Sequence, residues 1–187
     1  MSEIHITEEG GFNLARANAL LAGIGGSAIY QAVGSALKRA SQSGRAKAGT
    51  FAAQNYTISS SAFKKHISTR YEENGIGGAV MSANISFSGS VIPLIEFATS
   101  YSKNGGVTVR VKKGGGGNIS RAFVANFGRH GIYERVHSGK GGLKHLYGPS
   151  AAHMMMNEDV IQAMDKHITD VFNSRLDHEI GRILNGW

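Results

Sequence analysis

The C-terminal part of the chain carries the pattern that most constrains the fold. Between residues 158 and 184 apolar residues recur every three or four positions, the spacing of one face of an α-helix. Asn157 is a favourable N-cap, and Glu158 and Asp159 complement the positive end of the helix dipole. The apolar positions are Val160, Ile161, Met164, Ile168, Phe172, Leu176, Ile180 and Leu184. We therefore predict an amphipathic helix over 158–184, whose apolar face must pack against other elements.

A second helical pattern lies near the N-terminus, from Phe12 to about Gln42. An unbroken helix of this length would extend about 45 Å, at 1.5 Å per residue. The glycines within residues 23–26 mark a natural break, because each interior glycine costs roughly 1 kcal/mol relative to alanine. Residues 23–28 also spell the dinucleotide fingerprint Gly-x-Gly-x-x-Ala, but the required strand does not precede them. Close helix packing or a hinge is the favoured interpretation.

The pattern changes in the middle of the chain. A small, basic segment occupies residues 45–54, and the serines at 59–61 then offer an N-cap. Apolar residues share one side of the segment that follows, and lysines lie on another. We predict a short basic helix from about Ser60 to Arg70.

Alternation of apolar and polar residues predicts strands between residues 78 and 136. In one strand Ala83, Ile85 and Phe87 alternate with a wet face of Ser82, Asn84 and Ser86. In the next, Val107, Val109 and Val111 alternate with Thr108, Arg110 and Lys112. Beyond a loop of four glycines, "ISRAFVANF" and "GIYERV" predict two more strands. Connections of hairpin length indicate antiparallel pairing.

Together these elements predict an α+β protein. We expect an antiparallel sheet of about four to five strands, packed with a long N-terminal helix, a short middle helix and a long C-terminal helix. The 187 residues suit a single domain. Within it we expect an arm at 1–11, a helical part at 12–70, the sheet at 78–136, and a turn with the last helix at 143–187.

Charge is unevenly distributed along the chain. Residues 1–9, 10–157 and 158–187 carry net charges of −3, +13 and −3. A cationic middle between anionic ends can attract nucleic acid or an acidic protein, or let copies of the chain meet, whereas a solvated basic surface explains it equally well. The chain has no cysteine and no apolar run of the roughly 18 residues that cross a bilayer, so we expect a cytoplasmic protein without a membrane partner.

The residues that could carry chemistry do not form a recognisable catalytic or metal-binding set. His153, His167 and His178 lack the spacing of a zinc-hydrolase pair, and Glu96 and Glu134 are better explained as partners of cross-strand cations. We predict no catalytic residue, no cofactor and no metal.

The glycine-rich loop at 114–117 lacks the pattern of a phosphate-binding loop, and a flexible hairpin tip is the favoured interpretation. If it is ordered, DNA or a neighbouring subunit is the expected cause. The cations for such a contact are Arg110, Lys112, Lys113 and Arg121.

A turn is predicted at Gly148 and Pro149, just before three methionines. Methionines fill irregular space in a core, and they also form adaptable contact surfaces. As the subunit or partner contact we predict Leu146, Tyr147, Gly148, Pro149, Ser150, Met154, Met155 and Met156.

Four segments in one order resemble the minor tail protein Z family, the tail completion proteins of lambda-like long-tailed bacteriophages. They are "AKAGTFAAQNYTISSSAFKKHI", "GSVIPLIEF", "FVANFGRHGIYERV" and "GLKHLYGPSAAHMM", between about Ala46 and Met155. The sequence departs from the family pattern at Leu143 and Lys144, and again at Ala151 and Ala152. The first 40 residues and the last helix match the family only as helices.

The resemblance implies a structural virion protein of the tail or neck, without enzymatic activity, that is made in the host cytoplasm and helps to join tail to head. It implies a homo-oligomeric ring of about six copies. The implied partners are the tail terminator or tail-tube protein and the head–tail connector, with the DNA end or the tape-measure protein as further neighbours. The alternative is a free, basic nucleic-acid-binding protein, driven by the cationic middle of the chain.

Overall fold

The computed structural model describes residues 2–6, 26–76, 79–101, 105–136 and 142–186. Within them the α+β class, with long helices toward both ends and antiparallel strands between, is confirmed. The helices are α1 (Gly26–Asn55), α2 (Ser60–Lys65), α3 (Ala151–Met155) and α4 (Glu158–Leu184), with a 3₁₀ turn at Leu94–Glu96. The strands are β1 (Ser2–Ile6), β2 (Ile67–Ile76), β3 (Ala79–Gly89), β4 (Val91–Pro93), β5 (Ala98–Tyr101), β6 (Val107–Arg110), β7 (Gly117–Ile119), β8 (Ala122–Asn126), β9 (His130–Arg135), β10 (Leu143–His145) and β11 (Tyr147–Ser150).

The chain divides into two compact units. The helix-pair unit comprises the described residues of Met1–Ala48, Thr69–Phe87 and Ile161–Trp187. The strand-rich unit comprises the described residues of Gly49–Ser68 and Ser88–Val160. The expectation of a single domain stays a prediction.

The core of the helix-pair unit is built from small and aliphatic side chains of α1 and from every fourth residue of α4. Gly44 of α1 lies directly against α4, because an added Cβ there would be 2.8 Å from the Ile168 side chain. The three-stranded sheet of this unit has the order β1-β3-β2, and Ser2 pairs with Phe87. The buried positions include Ala32, Val33, Ala36, Leu37, Ala40, Ala83, Ile85, Phe87, Met164, Ile168, Phe172, Leu176 and Ile180.

The strand-rich unit contains three small antiparallel sheets, with the orders β10-β9-β8, β11-β4 and β5-β6-β7. Leu146 joins two of them, because its N–H donates to Ile132 (2.8 Å) and its carbonyl accepts from Leu94 N–H (3.1 Å). The β6–β7 hairpin is anchored to the end of α1, where Lys113 N–H donates to the Asn55 carbonyl (2.9 Å). The largest fully buried side chains of this unit are Phe63, Ile92, Ile132, Met154 and Met155.

The last helix forms as predicted, over Glu158–Leu184. The prediction that the first helix ends near Gln42 is wrong, because α1 continues to Asn55. The alanine-rich residues 45–54 favour helix, and the glycine among them, Gly49, packs too close to Ser60 for any side chain. The predicted helix residues 12–25, with most of the glycine break, lie outside the described residues.

The short middle helix is correct at its start but too long in the prediction. The Ser59 hydroxyl caps α2 by accepting from Ala62 N–H at 3.1 Å. The helix ends at Lys65, and the β-branched residues from Ile67 onward form strand β2 instead of continuing to Arg70.

The predicted sheet differs from the structure in two details. Its strands are distributed over several small sheets rather than one of four to five strands. Ala83, Ile85 and Phe87 are buried as expected, but Ser86, predicted on the wet face, is also buried. None of the helices in the described ranges carries an apolar stretch of the length that crossing a bilayer requires.

Candidate contact surfaces

The residues predicted as a turn, Gly148 and Pro149, lie within strand β11 of the described structure. This strand pairs with β4, Tyr147 opposite Pro93 and Ser150 opposite Val91, with an irregularity between the two pairs. An added Cβ at Gly148 would be 2.8 Å from the Phe97 ring. This glycine is therefore required for close packing on Phe97 rather than for a reverse turn, which is why the turn prediction is wrong.

The three methionines separate into core and surface. The Ser150 hydroxyl caps α3 by accepting from His153 N–H at 3.1 Å. The short helix that follows directs Met154 and Met155 into the core, where both are buried, and leaves Met156 57% exposed. Of the eight residues predicted for contact, Tyr147 and Met156 are the large side chains on the surface. Leu146, Gly148, Pro149 and Ser150 are partly buried.

Four rings from β8, β9, β10 and β11 and their turns form a continuous row, which we call the aromatic row. Phe127 packs edge-on to Tyr133 with ring centroids 5.3 Å apart, and Tyr133 stacks on His145 at 4.7 Å. His145 in turn contacts Tyr147 at 4.5 Å. Phe127 and Tyr147 are exposed at the two ends of the row, and Tyr133 is buried. The row therefore extends the predicted contact at Tyr147 across a sheet.

The electrostatic environment of the aromatic row is cationic. Burial, and then the nearby Arg129 guanidinium, lower the pKa of His145 below its usual value. The Arg135 guanidinium lies 5.7 Å from the Phe123 ring centroid, within the range of a cation–π contact. Gly131 lies directly beneath the His145 ring, and a side chain there would collide with it. The row has no local signature in the sequence, because its rings come from four separate short segments.

The four cations predicted for a DNA or acidic-partner contact are all exposed. Arg110 ends β6, Lys112 and Lys113 lie in the hairpin between β6 and β7, and Arg121 lies between β7 and β8. The Lys112 ammonium is 6.0 Å from the Tyr56 ring centroid. The hairpin is thus a cationic surface tied to the end of α1 by its backbone.

A groove in the helix-pair unit was not anticipated from the sequence. It has a volume of about 860 Å³ and is lined by residues 39–47 of α1 and residues 167–178 of α4. His167 Nε2 and the Ser43 hydroxyl are 2.8 Å apart across it. Burial, and then Lys47, lower the pKa of His167, while Asp170 acts in the opposite direction. The sequence offered no signal for this groove, since its two walls are more than 100 residues apart.

No group of three or more potential metal ligands occurs in the part of the chain that the structure describes. Comparison of the chain with protein-family models, with curated proteins and with solved structures finds no match. The function is therefore argued from the residues and their arrangement.

Proposed function

We propose that the protein is a structural component of a bacteriophage tail, a tail completion protein at the head-proximal end that helps to join tail to head. The observation that carries the proposal is where the four family-like segments lie. Residues 89–97, 123–136 and 142–155 belong to the strand-rich unit, and the segment at 46–67 enters it at Gly49.

These segments are spatial neighbours although they are separated along the chain. The segment at 89–97 contributes β4, which pairs with β11 of the segment at 142–155. The latter also contributes β10, which pairs with β9 of the segment at 123–136. Gly89 approaches both the His66 backbone and Ala151, so the segment at 46–67 joins the same cluster. A resemblance that maps onto one packed unit supports the proposal more than scattered matches would.

The exposed part of this cluster is suited to contact with other protein chains. Tyr147, Phe127 and Met156 are large apolar side chains on the surface, and aromatic residues and methionine are enriched in protein interfaces. In a ring, one such patch contacts a different patch on the next copy, and closure prevents an endless filament. We expect about six copies, in contact with the tail terminator or tail-tube protein and with the head–tail connector.

The cationic hairpin provides the second surface. In this proposal Lys112 and Lys113 face an acidic tail protein, such as the tape-measure protein, or the DNA end. Reversing both charges with Lys112→Glu and Lys113→Glu should impair head–tail joining or DNA entry, because it replaces attraction by repulsion at that surface. The matched control reverses the charges of Lys64 and Lys65, two exposed lysines of α2, and particles that carry it should remain infectious. If the hairpin variant and the control variant are both folded and particles with the hairpin variant are fully infectious, this role of the hairpin is contradicted.

The test of the proposal as a whole is quantitative peptide mass spectrometry of purified, DNA-filled phage particles. The amount of this chain is compared with that of a tail-tube protein in the same particles. We expect about one ring, near six copies per particle. Absence from the particles would refute the proposal and favour an assembly factor or a free nucleic-acid-binding protein.

A further inference from the structure

The groove of the helix-pair unit has a cationic lining that the tail-completion proposal does not use. We propose that this groove binds the phosphodiester backbone of a nucleic acid. The inference rests on the groove alone, and it does not depend on the proposed function.

The charged side chains of the groove are mainly basic. A smaller pocket of about 460 Å³ adjoins it, and the two share Arg39 and Gln42. The described residues that line them include five cations, Lys38, Arg39, Lys47, Arg175 and Arg182, and two carboxylates, Asp170 and Glu179.

One carboxylate and one cation of this lining neutralise each other. Glu179 is ion-paired with Arg182 at 2.9 Å. Within the described residues, neither Arg39 nor Lys47 makes an ion pair. Both cations are exposed.

The uncharged lining favours phosphate over an acidic peptide. Gln42, Ser43 and Ser174 offer amide and hydroxyl groups, which commonly contact phosphate and sugar oxygens. Among the described residues that line the two pockets, Val171 is the one aliphatic side chain. A peptide would find little apolar surface for anchoring side chains, whereas a phosphate backbone needs none.

The spacing of the cations suits a linear polyanion. Arg39 and Lys47 are eight residues apart on α1, about 12 Å along the helix axis. At about 3.4 Å of duplex axis per phosphate on one strand, this distance spans roughly three to four nucleotides.

A titratable group inside the groove reports the same positive field. Lys47 is, after burial, the second cause that lowers the pKa of His167. The positive charge of Lys47, which disfavours a cation at His167, favours an anion at the same place, whereas burial disfavours either charge and Asp170 acts against Lys47.

The proposal is tested by fluorescence anisotropy of the full chain with a labelled duplex of about 20 base pairs, at several salt concentrations. The groove variant combines Arg39→Gln and Lys47→Gln, and glutamine preserves helix propensity. If each residue contacts one phosphate, the slope of log K against log salt should become shallower by about 1.8, and affinity at low salt should fall about tenfold or more. The control combines Lys64→Gln and Lys65→Gln, which remove the same charge from the exposed surface of α2. The control should change the slope by less than half as much.

Three results would overturn the proposal. The first is no binding of the duplex by the unaltered protein at low salt, and the second is an equal loss in the groove and control variants. The third is displacement of the duplex by polyglutamate at equal charge, with the same variants losing polyglutamate binding, which would assign the groove to acidic protein segments. Circular dichroism verifies that each variant is folded. Should the double variant not fold, Arg175→Gln on α4 replaces it and should make the slope shallower by about 0.9.

Discussion

The two units of this protein are stabilised in different ways. In the helix-pair unit, buried side chains of α4 recur at every fourth residue from Met164 to Ile180, so stability depends on side-chain volume along one helix face. In the strand-rich unit each strand from β4 to β11 has only three to six residues, and close approaches at glycine join separate segments. The first unit should therefore be most sensitive to cavities, and the second to added atoms at a few backbone positions.

The two units also differ in the chemistry of their surfaces. The helix-pair unit presents a polar, cationic groove, and the strand-rich unit presents an aromatic row and a cationic hairpin. Our proposals place protein contacts on the strand-rich unit and a phosphate backbone in the groove.

The largest expected effect is a cavity in the helix-pair unit. Phe172→Ala removes a buried ring from the core face of α4 and should lower the free energy of unfolding by about 3–5 kcal/mol. The matched control is Ile161→Ala, at a 38% exposed position of the same helix, with an expected loss below about 1 kcal/mol. Urea denaturation followed by circular dichroism measures both. Similar losses in the two variants would show that α4 does not pack through the face that carries Phe172.

The next effect is overpacking in the strand-rich unit. In Gly89→Ala the added methyl group would collide with the His66 carbonyl oxygen and lie 3.0 Å from the Ala151 Cβ. Since the obstacle includes backbone, we expect a loss of about 1–3 kcal/mol. Gly117→Ala has open space around its Cβ and serves as the control in the same denaturation experiment. A neutral Gly89→Ala would contradict the close approach of these segments.

Loss of a helix cap should have a smaller effect. Ser59→Ala and Ser150→Ala each remove a hydroxyl that accepts a hydrogen bond from the first turn of α2 or α3. Each should lower stability by about 1 kcal/mol. Ser68→Ala, at an exposed position of β2, should change it by less than about 0.5 kcal/mol. If the three alanine variants are equally stable, the caps do not stabilise the strand-rich unit.

The smallest effect is a pH dependence to which His167 contributes in the helix-pair unit and His145 in the strand-rich unit. The pKa values of His167 and His145 are lowered in the folded protein, so the unfolded chain binds more protons as pH falls below about 6.5. Stability is therefore fully present above that pH and declines as pH falls toward the folded-state values. His167→Gln or His145→Gln should each reduce the loss of stability between pH 7.5 and 5.5. His153→Gln, on the exposed side of α3, is the control and should keep the loss seen in the unaltered protein.

The two units also differ in how far the sequence predicts them. The last helix is predicted over its whole length, because its burial repeats with the period of the helix and no proline interrupts it; its one glycine, Gly181, lies in the last turn. The strand-rich unit is predicted only in part. Gly148 and Pro149 are typical of a turn, but pairing of the residues on either side of them with β4 places them in a strand, and that pairing has no local signature.

The candidate sites, too, can be predicted from the sequence only where a local pattern marks them. The exposure of Lys112 and Lys113 follows from their place in a hairpin, which the valine alternation before them predicts. The aromatic row and the groove depend on contacts between distant segments, as between Ser43 and His167, and neither side of such a contact identifies the other in a single sequence.

The assignment of protein contacts to the strand-rich unit is tested most directly by photocrosslinking in intact phage particles. A photoreactive phenylalanine analogue replaces Tyr147 in one preparation and Tyr30 in another, two tyrosines that are 42% and 45% exposed and lie in different units. We expect position 147 to crosslink to another copy of this chain or to a tail or connector protein, at a yield well above that of position 30. Crosslinks to protein from position 30 alone, or from neither position, would contradict the assignment.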